Sequence, residues 1–120
     1  MKNDPGKILE KSRPVTSLLD LSLEKVEAFL CEKLRGHRVE EAYLFGSIAA
    51  GKAGAWSDID VIVVQETTLP FVERAREFAD LFDLGVPVDI LVYTPEEFGR
   101  LRSGDSGFWQ EFNRGHLRLL

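Results

Sequence analysis

Hydrophobic residues recur along the chain with two periods, which separate predicted helices from predicted strands. After Ser22, which is typical of a helix N-cap, apolar residues follow at helical spacing: Leu23, Val26, Leu30 and Leu34. A second helical stripe follows Pro70: Phe71, Ala75, Phe78 and Phe82. Gly36 and Gly85 come directly after these stripes and are predicted to end the two helices.

Three shorter segments have the pattern of β-strands. Val39–Phe45 alternates, with Ala42 and Leu44 on one face and Tyr43 and Phe45 on the other. Asp58–Val64 is rich in Ile and Val on both faces, which is typical of a strand covered on both sides. Val86–Tyr93 is predicted as the third strand.

The C-terminal part of the chain predicts two short helices and an edge strand. Thr94 and Glu97 form the pattern of a capping box, and the helix they begin is expected to end near Arg102. The next helix is predicted over Phe108–Arg114, and its aromatic residues either cover one end of the sheet or form a partner surface; they are Phe108, Trp109 and Phe112. The apolar segment His116–Leu120 predicts an edge strand, and an open edge could pair with a second copy in a homodimer.

Together these elements predict one small α/β (α+β) domain with a mixed sheet flanked by helices. Residues 1–21 lack a regular period and are expected to be a flexible arm, whereas residues 22–120 are expected to form the domain. The net charge of −5 and the lack of a dense basic run argue against nucleic acid as a main partner. No long apolar run and no signal-like start occur, so we expect a cytoplasmic protein without membrane contact.

Three aspartates lie at positions where an apolar strand has no structural need for charge. Asp58 and Asp60 are two residues apart and would share one face of their strand, where their charges repel each other. A hard cation such as Mg²⁺, which prefers oxygen ligands, would relieve that repulsion. Asp89 lies within the third apolar strand and could complete a carboxylate triad. The alternatives are a turn residue at Asp58, a solvated Asp60, and a core Asp89 satisfied by Arg or backbone amides.

Gly46 and Ser47 follow the first strand directly. Glycine permits close approach of the backbone to a ligand, and free N–H groups with a serine hydroxyl suit a phosphate. The alternative is an ordinary turn in which Ser47 caps a helix. With the aspartates, however, the pair predicts metal-assisted nucleotidyl transfer, in which Gly46 and Ser47 contact the terminal phosphates.

These segments resemble the nucleotidyltransferase motif of the DNA polymerase beta superfamily. That motif has Gly-Ser, ten residues, then Asp, one residue and Asp, and residues 48–57 supply the ten here. The resemblance covers about residues 22–100 and is closest to the minimal nucleotidyltransferases. It implies that Asp58, Asp60 and Asp89 are catalytic metal ligands, and that phosphate-binding residues lie in the first part of the motif: Gly46, Ser47, Lys52 and Ser57.

The same resemblance implies cofactors and a partner. Two Mg²⁺ ions and an NTP, often ATP, are expected as cofactor and substrate. Many minimal nucleotidyltransferases are encoded beside a HEPN-domain toxin and silence it by transferring AMP to a tyrosine, as in type VII toxin–antitoxin systems. One departure is Ala50, where many relatives have Arg; Lys52 is near enough in sequence to substitute.

Two other functions remain open at this point. The chain could neutralise its partner by contact alone, with a vestigial site, and Ala50 is the sequence feature that favours this. It could also modify a small molecule such as an antibiotic, although such relatives generally carry an added helical domain, for which 120 residues leave no space.

Overall fold

The fold is a four-stranded mixed sheet with helices on both faces, which confirms the predicted fold class. The computed structural model describes residues 22–46 and 59–120; the predicted N-terminal arm and the predicted helical turn after Gly46 lie outside them. The helices are α1 (Leu23–Leu34), α2 (Phe71–Arg74), a 3-10 helix (Ala75–Leu84), α3 (Pro95–Leu101) and α4 (Gly107–Arg114). The strands are β1 (Glu41–Phe45), β2 (Ile59–Val64), β3 (Val88–Tyr93) and β4 (Leu117–Arg118).

The strands lie in the order β3-β2-β1-β4. β2 and β3 are parallel, whereas β1 is antiparallel to both β2 and β4. The C-terminal end of β1 therefore meets the N-terminal ends of β2 and β3 at one end of the sheet. We call this the open end, and residues Phe45, Asp60 and Asp89 lie there.

Alternation along the strands divides the core into two layers, as predicted. The layer on the α1 face joins α1 and the 3-10 helix to the sheet; its sheet residues include Ala42, Leu44, Ile59, Val61, Val63, Val88 and Val92. The layer on the α4 face consists of Tyr43, Ile62, Val64, Phe98, Trp109 and Phe112. The predicted aromatic residues of α4 thus cover this face, because Trp109 and Phe112 are buried in its core.

Helix starts follow the capping chemistry expected from the sequence. Ser22 Oγ accepts a hydrogen bond from the Lys25 amide at 3.1 Å, and α1 begins one residue later. Thr94 and Glu97 form the predicted capping box, with reciprocal bonds of 2.9 and 3.2 Å. No helix among the described residues is long and apolar enough to cross a membrane.

The predicted stripe in the segment before Gly85 is wrong in part. Phe71 and Phe82 are 42% and 53% exposed, whereas Phe78 and Leu81 are fully buried. The reason is that α2 gives way to a 3-10 helix, whose three residues per turn bring every third side chain to one face. The inward positions are therefore Ala75, Phe78, Leu81 and Leu84. Gly85, with φ of 90°, ends the segment as predicted.

Arg74, which lies outside the predicted stripe, is buried as well, with only 8% of its surface exposed. Its Nη1 donates to Glu97 Oε1 at 2.7 Å and to the Val92 carbonyl at 3.1 Å, and its Nε donates to the Leu69 carbonyl at 2.8 Å. Arg74 thereby joins α2, the outer strand β3 and the start of α3. The arginine bonds, followed by the Thr94 backbone bond, lower the pKa of Glu97 to about 2.

We expect Glu97→Gln to lower the free energy of unfolding at pH 7 by about 2 kcal/mol, because Arg74 would stay buried without its counter-charge. Glutamine keeps the capping box, so the change isolates the ion pair. The folded-state pKa lies below the unfolded value near 4.3, so this stabilisation is present above pH 4.3 and is lost as pH falls towards 2. Urea unfolding from pH 7 to pH 3, with exposed Glu96→Gln as control, measures this. A difference that stays constant over this range would contradict it.

His37, in the loop between α1 and β1, contacts two carboxylates of the 3-10 helix. Its ring nitrogens lie 2.9 Å from Glu77 Oε2 and 3.1 Å from Asp80 Oδ1, which ties the α1–β1 loop to the 3-10 helix. Burial alone would lower the pKa of His37, but the bonds with Glu77 and Asp80 outweigh it and raise that pKa. Protonated His37 therefore stabilises the fold below its ordinary pKa, and this contribution is lost as pH rises through the raised value.

The C-terminal segment forms an edge strand, as predicted. β4 pairs with β1, with Tyr43 opposite Arg118 and Leu44 opposite Leu117. Leu119 is buried and Leu120 packs against the same core layer, so these apolar residues are used within the chain. The predicted homodimer stays a prediction.

Candidate active site

Three residues form a row across the open end of the sheet on its α4 face. Phe45 pairs with Asp60 across the antiparallel β1–β2 ladder, and Asp60 pairs with Asp89 across the parallel β2–β3 ladder. Their chain neighbours face the other core layer, so all three side chains point to the α4 face. Strands lie about 4.8 Å apart, so the carboxylates of Asp60 and Asp89 are direct neighbours. The predicted pairing of these two residues in one place is therefore present.

Gly46 closes the row at the end of β1. Its φ of 101° is in the left-handed region that favours glycine. A Cβ at this position would overlap Oδ2 of Asp60 and lie 3.3 Å from its Cγ. The Asp60 carboxylate thus occupies the space that any other residue at position 46 would fill. The need for glycine here is a close approach to a carboxylate, and the phosphate contact predicted for Gly46 is a separate proposal.

The two aspartates differ in exposure. Asp60 is half-buried, because β2 lies between β1 and β3, whereas Asp89 is exposed on the outer strand β3. The alternative of Asp89 as a buried core residue is therefore excluded. Among residues 22–46 and 59–120, no ion pair involves Asp89. Its charge remains available to a ligand at the open end.

The donor set at the open end fits a hard divalent cation. Aligned carboxylates on adjacent strands repel each other, and an Mg²⁺ bound between their oxygens would remove that repulsion. Within the described residues, no group of three metal-ligating side chains occurs. The other predicted metal ligand, Asp58, lies one residue before β2 and outside the described residues.

Most of the predicted phosphate-binding residues also lie outside the described part of the chain. These are Ser47, Lys52 and Ser57, and the same holds for Ala50. The described residues on either side of this segment, Gly46 after β1 and Ile59 at the start of β2, lie at the open end. Their roles as ligands remain proposals.

Two aromatic residues beside the carboxylates were not predicted as site residues. Phe45 lies next to Asp60 in the row, and the Phe108 ring lies 5.4 Å from the Phe45 ring. The alternation of β1 assigned Phe45 to the correct face, and the spacing of Phe108 and Phe112 was typical of one helix face. Which end of the sheet α4 would begin at was not visible in either pattern.

The fold and this row define a class of protein: a small α/β domain that presents paired carboxylates at the end of a mixed sheet, beside a glycine turn. The chain belongs to the nucleotidyltransferase domain family, whose profile matches residues 23–111. This confirms the family resemblance predicted from the Gly-Ser and Asp-x-Asp spacing. The chain is accordingly a nucleotidyltransferase.

Three of the solved structures that this chain resembles are toxin–antitoxin complexes. The chain is 27% identical to a chain of a toxin–antitoxin crystallised with AMP-PNP, with a TM-score of 0.53, and the match covers 78% of this chain and 72% of that one. It is 26% identical to a chain of the toxin–antitoxin MntA-HepT, with a TM-score of 0.52 and coverage of 81% and 71%. A variant complex with two Asp→Glu changes gives 25% identity, a TM-score of 0.52 and coverage of 78% and 72%. No curated protein matches the sequence.

Proposed function

We propose that this chain transfers AMP from ATP to a hydroxyl of a protein partner, most specifically a tyrosine of a HEPN-type toxin, as the cytoplasmic antitoxin of a toxin–antitoxin pair. The observation that carries the proposal is the alignment of Asp60 and Asp89, with Gly46 against Asp60, in a nucleotidyltransferase domain. Similarity to toxin–antitoxin complexes, one of them with an ATP analogue, supports the choice of substrate and partner.

The proposed reaction is an in-line displacement at the α-phosphorus of ATP. The acceptor oxygen forms a bond to phosphorus while the bond to the β-phosphate oxygen breaks, and pyrophosphate leaves with that electron pair. Asp58 and Asp60 would hold Mg²⁺, and a second ion would bind with the help of Asp89. Bound magnesium would neutralise phosphate charge and stabilise the attacking and leaving oxygens.

The residues of this chain have distinct proposed tasks in that step. Asp89 either contributes to the second metal site or accepts the proton of the attacking hydroxyl; its exposure on β3 lets an acceptor approach from solvent. Gly46 and Ser47 contact the terminal phosphates, with Lys52 and Ser57 nearby in sequence. The Asp60 carboxylate is positioned by its contact with the Gly46 backbone, because no side chain at position 46 displaces it.

The test is intact-mass analysis of a candidate partner after incubation with this chain, ATP and magnesium. The candidate is the product of the neighbouring gene, if that product is a small all-helical chain. We expect the partner to gain one AMP, peptide mass spectra to place it on tyrosine, and EDTA to abolish the gain. Restoration by added Mg²⁺, but not Ca²⁺, would show that the loss arises from the metal. If no nucleotide were transferred to the partner from either ATP or GTP, the proposal would be overturned.

A contact-only antitoxin gives a different result in the same assay. If the Asp58→Asn, Asp60→Asn double variant still neutralised the toxin, and the toxin carried no nucleotide, binding would be the function. If the chain instead acts by AMP transfer, the double variant, which has lost that transfer, should no longer neutralise the toxin. Toxin activity must therefore be measured on the same samples as the mass.

A further inference from the structure

An exposed aromatic ring stands beside the carboxylate row. Phe108, in the first turn of α4, is 40% exposed, whereas Phe112 one turn later is fully buried. The Phe108 ring packs against Phe45 with the centroids 5.4 Å apart and an angle of 69° between the planes. The Phe108 ring also contacts Trp109, with the centroids 5.0 Å apart, so the part of the ring that faces neither Phe45 nor Trp109 is open to solvent.

The contact with Phe45 fixes the end of the sheet at which Phe108 lies. Phe45 is the last residue of β1 and lies at the open end, opposite Asp60. Since the Phe108 ring packs against the Phe45 ring, Phe108 also lies at the open end.

Phe108 therefore flanks the same row that contains Asp60 and Asp89. Residues directly opposite in an antiparallel pair have Cβ atoms about 5 Å apart, so Phe45 is the immediate neighbour of Asp60. Phe108 packs against the Phe45 ring in turn. A substrate held at the carboxylates thus has Phe45 on its β1 side, with Phe108 against that ring, and the exposed Asp89 on its β3 side.

We propose that Phe108 is the base-binding wall of the site, on which the purine ring of the nucleoside triphosphate packs while its phosphates lie over Asp60 and Asp89. The inference rests on the proposed function, since it assumes that the carboxylate row holds a nucleotide. The base is tethered through one ribose to the phosphate at the row, which limits it to the nearest flat apolar surface. Phe108 with Phe45 is the aromatic surface next to Asp60 among the described residues.

The chemistry of the wall predicts its selectivity. Phenylalanine offers a π-face and no hydrogen-bonding atom, and stacking on such a face tolerates any base. We expect ATP and GTP to bind with similar affinity, and CTP and UTP to bind more weakly because their rings cover less of the phenyl face.

The experiment is calorimetric titration of Mg-ATP and of magnesium tripolyphosphate, which lacks a base, into the wild type and two variants. Phe108→Ala is expected to weaken Mg-ATP binding about tenfold, the typical loss of one stacked base, and to leave tripolyphosphate binding unchanged. Phe108→Leu keeps apolar packing on Phe45 but lacks the π-face, so it should lose most of the same affinity with an unchanged Tm. Phe82→Ala, which removes a 53% exposed ring from the 3-10 helix, is the matched control and should change neither affinity.

The outcomes separate this inference from the proposed function. If wild type binds Mg-ATP and both Phe108 variants bind it equally well, the inference is wrong while the proposed function stands. Equal losses for Mg-ATP and tripolyphosphate would also overturn it, because they would show a general disturbance of the site. A variant that binds Mg-ATP normally but needs more acceptor for half-maximal transfer would assign the ring to the acceptor instead. If the wild type bound neither Mg-ATP nor magnesium tripolyphosphate, both proposals would be overturned.

Discussion

Replacing Asp60 with asparagine is expected to reduce the rate of the proposed AMP transfer by about a thousandfold, because the charge of the proposed metal ligand, worth several kcal/mol in the transition state, is lost. Asparagine has nearly the same size and shape, so the contact with Gly46 and the packing of β2 should persist. The effect should therefore appear in the rate and in magnesium dependence, and not in the fold.

The measurement is single-turnover transfer from labelled ATP over a range of Mg²⁺ concentrations. Circular dichroism and thermal unfolding of the same samples report the fold. Asp105→Asn is the matched control, since Asp105 is exposed in the turn before α4 and takes no part in the row. Asp89→Asn tests the carboxylate on β3. Asp58→Asn tests the proposed metal ligand that lies outside the described residues. Undiminished transfer in both the Asp58 and Asp60 variants would refute the assigned metal site.

The layers of this fold could be predicted because they depend on local alternation. Tyr43 and Phe45 were assigned to one face, Ala42 and Leu44 to the other, and both assignments are confirmed. The helix starts could also be predicted, because the caps at Ser22 and Thr94 depend on hydrogen bonds between residues three positions apart in sequence. The observed ends of the strands differ from the predicted ends by one or two residues. The reason is that a strand ends where its pairing with the neighbouring strand ends, which the hydrophobic pattern does not show.

The register of the candidate site could not be predicted in the same way. Asp60 and Asp89 are neighbours because β2 and β3 are adjacent, parallel and in phase, and each of these depends on contacts between distant parts of the chain. The charge within an apolar strand, and then the family resemblance, indicated Asp89 as a third carboxylate, but neither gave its exposure on an outer strand. The position of Phe108 likewise depends on where α4 begins relative to β1, which no local pattern contains.

Arg74 shows why a helical period can mislead. The stripe with 3.6 residues per turn, over Phe71, Ala75, Phe78 and Phe82, leaves Arg74 outside the predicted core, yet Arg74 is buried because its guanidinium has partners there. Arg74 then meets Glu97 and the Val92 carbonyl at the outer edge of β3. This edge runs from Asp89 at the open end to Tyr93, so the ion pair holds the strand that contributes the exposed carboxylate.

Gly46→Ala is expected to cost about 2 kcal/mol of folding stability through the strain of a positive φ, and to slow transfer about a hundredfold through displacement of Asp60. The displacement is expected because the added methyl would overlap the Asp60 Oδ2 atom. Gly99→Ala is the matched control: nothing lies within 4 Å of a Cβ there, and alanine within α3 should stabilise the fold by about 0.7 kcal/mol.

A double-mutant cycle separates strain from overlap. In an Asp60→Ala background the carboxylate is absent, so Gly46→Ala should retain the cost of the positive φ and lose the part that arises from overlap. We therefore expect a coupling energy of about 1 kcal/mol between the two positions from urea unfolding. Strict additivity would show that the two residues do not contact each other, and would leave the positive φ as the reason for a glycine at the end of β1. A Gly46→Ala variant with wild-type transfer would show that the exact placement of the Asp60 carboxylate does not limit the reaction.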